Sequence, residues 1–587
     1  MLEPDVRAAL TEQLRPPTGY ELLHAVGTTF TLDLTSALAI PLAFAGHQVS
    51  ESDDPVAILD AVRRAADLVD IFGQAGQIAV PREASDLVAF LEPMVHPVGP
   101  RRPGTLFHPK VWLLEYARGE HRSFRLLCSS RNITADRSWD LVVRLDGTMS
   151  AGGHTREQNE PLSELVRALP SLAVTALPTE RARRIEDLAE RVGAVEWEYP
   201  DDIRDLTFHA LGLGRPTNID FGGARHLIIS PFLSDEGINR TSLWSQERAQ
   251  VISRADSFER LQPKTLTLIE AHVLDDAVRD SDEADDDPLV GLHAKAYFLD
   301  RKSGSRAIIG SANATSAAFG GNIEFLIEMV GPQPRVGVHA TFGEKSALRN
   351  LTVPYTATGG AEESETEKAD RALEVAIRSL ACVRLRNVVE QDGADSFALT
   401  VESIESHSPP SDIVTEIRLL TRPANTRAFP VENAARFEGI ELTDITPFVI
   451  IRATDSRGEA RSTIVCAELI GDVAHRRDTV LARQIDTPEK FLRFLFLMLS
   501  LGGATSTSAQ SVVGSGGTFG SWTGDGSGVF ESLVHALAKN PRGLDDLAKL
   551  IERMRAQEGT ATVLPHGFDE VWEPIWQARV AQSGVRS

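Results

Sequence analysis

Apolar positions along the chain alternate between two periods. Residues 1 to about 15 carry an amphipathic helical pattern that stops at Pro16-Pro17. From Tyr20 to Ala45 the run of Leu, Thr, Phe and Ala predicts a strand followed by a helix. Val56–Phe72 has helical periodicity, Gln77–Val80 reads as a short strand, and Ala84–Met94 as another helix. Residues 160–193 predict two helices, with Pro161 near the start of the first and Thr179-Glu180 opening the second. After Tyr199-Pro200 the alternation restarts, with strands at Arg225–Pro231, Ala249–Arg254 and Thr265–Val273 and a short helix at Phe258–Leu261. Alternating helix and strand predict an α/β fold in which mixed sheets are flanked by helices.

The pattern changes beyond residue 345. Gly359–Asp370 is polar and acidic and reads as linker, and Glu367–Leu385 as a helix. Ser396–Ile404, Val414–Leu420, Phe448–Thr454 and Arg461–Leu469 predict the strands of a small β-rich domain. Thr487-Pro488 opens an apolar helix that ends at Gly502-Gly503, expected to be buried in a core. Residues 503–528 are rich in Gly, Ser and Thr but lack the G-K-[ST] ending of a phosphate loop, so they read as linker. Two helices, Val529–Lys539 and Leu544–Ala556, suggest a small helical docking unit. The expected partition is 1–200, 201–345, a linker at 346–370, the β-rich domain at 371–485 and a helical region at 486–587.

A chain of 587 residues has length for several cores, and 42% hydrophobic with 24% charged residues is ordinary for a soluble globular protein. Three cysteines (Cys128, Cys382, Cys466) supply neither a disulfide framework nor a paired metal spacing, which fits a reducing cytoplasm. The N-terminus has no basic-then-apolar secretory pattern. The longest apolar runs, Phe491–Leu501 and Ser36–Gly46, are too short to span a bilayer. A net charge of −23 argues against a protein coated in nucleic acid but leaves room for a local basic groove. The arginines between Arg101 and Arg144 offer one, with a solvated surface as the plain alternative.

Chemistry concentrates in two stretches. Leu292–Met329 holds His293 and Lys295 two apart in an extended segment, so both side chains share one face, followed by G-S-A-N at 310–313 and by Glu324. Phe107–Asp140 repeats the arrangement with His108, Lys110, Glu115, then S-S-R-N at 129–132 and Asp140. A lone histidine on a strand is usually structural, and His121, His209, His226 and His272 are read that way. Two histidines, each with a lysine at +2 and an asparagine some twenty residues on, are hard to explain by packing. An imidazole whose tautomer an acid fixes is a competent nucleophile, and a second one can protonate a leaving oxygen and then activate water. Lysine and asparagine suit developing negative charge on a phosphodiester.

These motifs resemble those of the phospholipase D superfamily, H-x-K-x4-D followed by G-S-x-N. The second copy matches at His293, Lys295, Asp300, Ser311 and Asn313, with Glu324 as supporting acid. The first matches at His108, Lys110, Ser130 and Asn132, with Glu115 in place of the aspartate, Ser129 in place of the glycine, and Asp140 as the matching acid. Tyrosyl-DNA phosphodiesterase-like members lack that aspartate. The resemblance covers about residues 20–335. It implies two pseudo-symmetric phospholipase D-like halves, followed by the β-rich domain and the small helical C-terminal unit. It further implies one shared site in a single subunit and a covalent phosphohistidine formed without metal or other cofactor. It leaves open which histidine attacks; analogy with two-motif members favours His108 as nucleophile and His293 as acid and then base.

The superfamily cuts phospholipids, DNA, RNA and nucleic acid–protein links, and motif alone does not choose. The chain shows no membrane segment or apolar docking loop, and Arg131 and Arg137 in S-R-N-I-T-A-D-R can reach phosphates. The expectation is a nuclease, DNA favoured over RNA, in bacterial genome defence or repair. A cytoplasmic phospholipase or phosphatidyltransferase is one alternative. A non-catalytic nucleic-acid-binding scaffold that docks a helicase or other protein through residues 371–587 is another. Leu274–Pro288 is strongly acidic and reads as a surface loop, or as a strap over a basic groove.

Overall fold

The structure is a computed structural model. It describes residues 10–48, 65–81, 86–102, 104–135, 138–214, 217–275, 291–393, 396–405, 407, 412–430, 434–473, 476 and 567–584, with isolated positions between 530 and 548. Most of the acidic stretch 274–288, the apolar helix after Thr487, the 503–528 linker and most of the last two expected helices lie outside the described residues.

The first half is a seven-stranded sheet. Its strands are β1 (Glu21–Thr29), β2 (Val69–Gln74), β3 (Val95–Val98), β4 (Val111–Arg118), β5 (His121–Ser129), β6 (Val142–Met149) and β7 (Val195–Trp197), in the spatial order β7-β6-β5-β4-β1-β2-β3. The second half has β8 (Asp205–Leu211), β9 (Arg225–Ile229), β10 (Ala249–Ile252), β11 (Ile269–Leu274), β12 (Ala296–Arg301), β13 (Gly304–Gly310), β14 (Glu324–Gly331) and β15 (Thr352–Pro354), in the order β8-β14-β13-β12-β9-β10-β11-β15. Six strands correspond one to one. β1 and β9 correspond: each pairs parallel with the next strand in the chain (β2 and β10) and antiparallel with the strand that follows the histidine motif (β4 and β12).

The sheets share one core. Val26, Phe72, Leu113 and Leu126 of the first sheet pack with Leu227, Ile229, Phe298, Ile309 and Phe325 of the second. The helices Glu160–Leu172 and Thr179–Gly193 close this core, and both lie where their amphipathic pattern put them. The outer faces are covered too: Trp112, Leu114 and Tyr116 face a second core, Tyr297 and Leu299 a third. Burial on both faces explains why V-W-L-L-E-Y and A-Y-F-L-D read as continuous apolar runs.

Double burial also explains the differences from expectation. Val69–Phe72, expected within a helix, belongs to the fully buried strand β2, where Asp70 is buried along with its apolar neighbours and no exposed face marks the period. Of the expected helix Ala84–Met94, the described residues hold a 3₁₀ turn, Asp86–Phe90, before β3. Thr265–Val273 splits into a helical turn, Pro263–Leu266, and β11. Thr352–Pro354, expected in a linker, is the edge strand of the second sheet.

Beyond it, helix Glu365–Ala381 opens with a capping box of Ser364 and Glu367. Two four-stranded sheets follow, enclosing Leu399, Val401, Phe437, Ile417, Val449 and Ile451. This β-rich unit docks on the first half: Thr463 Oγ1 exchanges hydrogen bonds with the Ile78 backbone (3.3 and 3.0 Å), and Arg476 forks onto Glu92 (2.7 and 3.1 Å). The C-terminal helix Phe568–Gly584 adds Phe568, Trp572 and Ile575 to the core on the outer face of the first sheet. Among the described residues no helix is long and apolar enough to cross a membrane.

Candidate active site

Each His-x-Lys segment lies just before its strand, not within it: residues 108–110 lead into β4 and 293–295 stop short of β12. What holds them extended is the other half of the molecule. The His108 N–H donates to Ile323 O (2.9 Å) and the Ile323 N–H to Leu106 O (2.8 Å). In mirror fashion, the N–H groups of His293 and Ala294 donate to Trp139 O (3.1 and 3.0 Å).

The side chains cross in the same way. His108 Nδ1 bonds Glu324 Oε2 at 2.9 Å, and His293 Nδ1 bonds Asp140 Oδ1 at 3.1 Å. The acid that follows each motif therefore orients the histidine of the opposite motif. Each acid is fixed by the serine of its own half. Ser130 Oγ donates to Asp140 (3.1 Å) and accepts the Leu141 N–H (2.9 Å); Ser311 Oγ donates to Glu324 and accepts the Phe325 N–H (3.0 Å). A second donor completes each carboxylate: Ser138 Oγ to Asp140 at 2.8 Å, and Asn322 Nδ2 to Glu324 at 3.3 Å. Sequence reasoning missed Ser138 and Asn322, although each sits two residues before its acid.

Burial and charge set the protonation. Burial pushes His108 down to about 4, outweighing the attraction of Glu324. Burial also lowers His293, against its bond to Asp140. Glu324 and Asp140 are held below the usual carboxylate range by their histidines and hydroxyl donors, although burial alone would raise them. Both pairs are thus neutral imidazole beside carboxylate, with Nδ1–H donated and the Nε2 lone pair available. Lys110 and Lys295 are buried and donate to the carbonyls of His108 and His293. Burial lowers Lys110 well below the ordinary lysine value, and the charge of Lys295 lowers it further.

Asn132 Oδ1 accepts the Thr31 N–H (3.3 Å), whereas Asn313 Oδ1 is buried without a partner among the described residues. Phe30 lies edge-on to His108, ring centroids 5.1 Å apart, with Lys110 Nζ 5.7 Å from its centre. Arg131 sits at the turn and donates to Thr134 O (3.1 Å); Arg137 lies outside the described residues.

Glu115 and Asp300 are not part of this cluster. Each lies five residues beyond its lysine, about 17 Å along an extended strand. Glu115 is buried and clamped by Arg191 (2.7 and 2.9 Å) and Arg122 (3.0 Å); Asp300 accepts from Ser305 Oγ (2.6 Å) and the Val338 N–H (3.1 Å). They anchor the strands. His209 and His226 also have structural partners, Glu328 and the Phe221 carbonyl. Among the described residues no group of three or more His, Cys, Asp or Glu side chains is placed to share a metal ion.

No protein-family model matches the chain, and no curated protein matches it. Solved structures that align with it include a mutant yeast tyrosyl-DNA phosphodiesterase, 12% identical over 53% of this chain and 82% of that one, with a TM-score of 0.32. The polyphosphate kinase of Porphyromonas gingivalis is 14% identical over 63% and 50%, TM-score 0.32. The phosphatidylserine synthase of Haemophilus influenzae Rd KW20 is 13% identical over 63% and 91%, TM-score 0.34. Likenesses of this depth say nothing of substrate or chemistry, which rest on the site's own geometry.

Proposed function

We propose that the protein is a phospholipase D-like phosphodiesterase that cleaves nucleic acid, DNA before RNA, through a covalent phosphohistidine and without a metal ion. The observation that carries this reading is the crossed pairing of His108 with Glu324 and His293 with Asp140. Two neutral imidazoles with fixed tautomers, two buried ammonium groups and two asparagines meet in one chain, so the site needs no second subunit.

His108 is the nucleophile. Its pair is the more enclosed: side-chain exposures are 11% and 1% for His108 and Glu324, against 16% and 10% for His293 and Asp140. An imidazole kept neutral by burial attacks; a more open one exchanges protons with water. The lone pair of His108 Nε2 bonds phosphorus while the bond from phosphorus to the leaving oxygen breaks. His293 gives its Nε2 proton to that oxygen. A water then loses a proton to His293, attacks phosphorus and displaces His108, leaving a phosphomonoester and an alcohol. An incoming phosphodiester anion favours protonation of a histidine, and His293 is the more accessible one. Lys110, Lys295 and the asparagine amides face the charge that develops on phosphorus oxygens.

The test is cleavage of single- and double-stranded DNA, RNA and a short-chain phospholipid in excess EDTA, by wild type and His293→Ala. DNA cleavage by wild type that survives EDTA and is lost in the variant is the expected result. Turnover of lipid alone, or loss of all activity in EDTA, contradicts the proposal.

A further inference from the structure

The two halves share the serine and acid that support each motif but differ at two pairs of equivalent positions beside the site. In the first half Thr29 Oγ1 donates to Thr31 O (2.7 Å) and accepts the Ile133 N–H (3.1 Å). In the second, Ser230 Oγ donates to Phe232 O (2.7 Å) and accepts the Ala314 N–H (2.9 Å). Thr31 and Phe232 therefore hold equivalent places, each beside the turn that carries a motif asparagine. Gln74 and Arg254 are equivalent as well, since each reaches the residue before a motif histidine. Gln74 Oε1 accepts the Phe107 N–H (2.7 Å), and Arg254 Nε and Nη2 donate to Leu292 O (3.3 and 3.2 Å).

The first half thus has a threonine and a buried glutamine where the second has an aromatic ring and a guanidinium. The Arg254 guanidinium lies over the Phe232 ring, 4.9 Å from its centre. Phe232 nevertheless keeps 45% of its surface exposed. A single exposed phenylalanine is ordinary on a protein surface. This one is pinned on two sides, by the Asn313 turn through the Leu233–Ala314 bridge and by the His293 segment through Arg254. Phe30, its nearest analogue in the first half, is engaged with His108 and Lys110.

We infer that Phe232, backed by Arg254, is a stacking subsite for an unpaired nucleobase beside the scissile phosphate, so that the recognised base lies over the second half. This inference rests on the nucleic-acid reading above. A ring with one face on a cation and 45% of its surface exposed can take a second planar ring. Stacking of this kind tolerates any base, and an adjacent arginine draws the backbone. A phospholipid offers no planar ring for such a place.

The experiment uses labelled single-stranded oligonucleotides with one abasic site at successive positions around the cleaved bond. Binding by anisotropy and steady-state cleavage are measured for wild type, Phe232→Ala and Phe232→Trp. In wild type, one abasic position should raise Kd and KM about tenfold. In Phe232→Ala the base-bearing strand should already bind about tenfold more weakly, and the abasic change at that position should add nothing. Phe232→Trp should restore the dependence on that base. Equal responses of wild type and Phe232→Ala at every position overturn the subsite. If Phe232→Ala does not fold, Phe232→Leu carries the same comparison. Wild type that cleaves strands without any dependence on Phe232 removes the subsite alone. Wild type that shows the position-dependent binding yet cleaves no strand keeps the subsite and contradicts the phosphodiesterase reading. Failure to bind any oligonucleotide overturns both.

Discussion

His108 Nδ1 lies 2.9 Å from Glu324 Oε2, across 216 residues of chain and across the boundary between the two sheets. His293 and Asp140 repeat the relationship in reverse, 153 residues apart. Neither half can set the tautomer of its own histidine. The site is therefore a property of the shared core between the sheets, and each acid has a separable role.

Glu324→Gln should lower kcat by about 10²–10⁴-fold with little change in KM, because a neutral amide no longer fixes His108 as the nucleophile. The deficit should be similar for good and poor leaving groups. Asp140→Asn should lower kcat mainly for poor leaving groups, since His293 protonates the leaving oxygen. Comparing an alkyl with a p-nitrophenyl leaving group in both variants checks the assignment. A leaving-group dependence confined to Glu324→Gln would reverse the two roles.

The pH profile of kcat/KM should be bell-shaped and acidic. Activity needs His108 unprotonated and His293 protonated in the free enzyme. The rising limb then follows His108, pushed down to about 4, and the falling limb lies below the ordinary imidazole value of 6.5, because burial lowers His293. A rate measurement from pH 3.5 to 9 with a small diester checks this. An optimum above neutrality would contradict the proton assignment.

Asp70 is a structural charge at the base of the first half. It is fully buried and bonded to His24 (2.8 Å), His96 (2.8 Å) and Arg181 (2.7 Å). Asp70→Asn leaves the buried Arg181 with only the half-exposed Asp67, 3.8 Å away, as counter-charge and should cost about 3–5 kcal/mol of stability, read as a lower midpoint in denaturant. Material that still folds should retain its catalytic rate, because the cluster lies near the start of β1 while the site lies beyond its end.

The same cluster makes stability depend on pH. Burial holds His24 and His96 below their ordinary value of 6.5, despite Asp70 beside them. Unfolded imidazoles take up protons as pH falls through 6.5 and the folded ones resist, so stability is full above that value and declines below it. Asp70 is held below the carboxylate range by its partners and contributes a loss only at lower pH still. Thermal midpoints from pH 8 to 5 should fall, and His24→Asn should flatten the decline.

Much of this was legible in the chain. The helices over 160–193 are amphipathic with one face in water, so their pattern locates them closely. The two His-x-Lys motifs with their serines, asparagines and acids were legible because that chemistry leaves a spacing. β2 was not, because both of its faces are buried and its polar residues, Asp70 and Gln74, are buried with the rest, so no exposed face marks its period. The crossing of the acids was not legible either. Asp140 and Glu324 follow their own serines by 10 and 13 residues, and nothing in that spacing says which histidine they reach. Glu115 and Asp300 occupy motif positions and anchor their strands through Arg191, Ser305 and the Val338 amide. Phe232 and Arg254 carry no motif; they stand out only against Thr31 and Gln74 in the other half.

The most direct measurement is to locate the covalent intermediate. His293→Ala and His108→Ala are each mixed in EDTA with a labelled oligonucleotide whose scissile phosphodiester carries a p-nitrophenyl leaving group, which departs without a proton from His293, then quenched in alkali to preserve phosphohistidine, digested and mapped. The account predicts a labelled peptide containing His108 from His293→Ala and none from His108→Ala. Label on His293, or no adduct in a variant that still binds the strand, would contradict it.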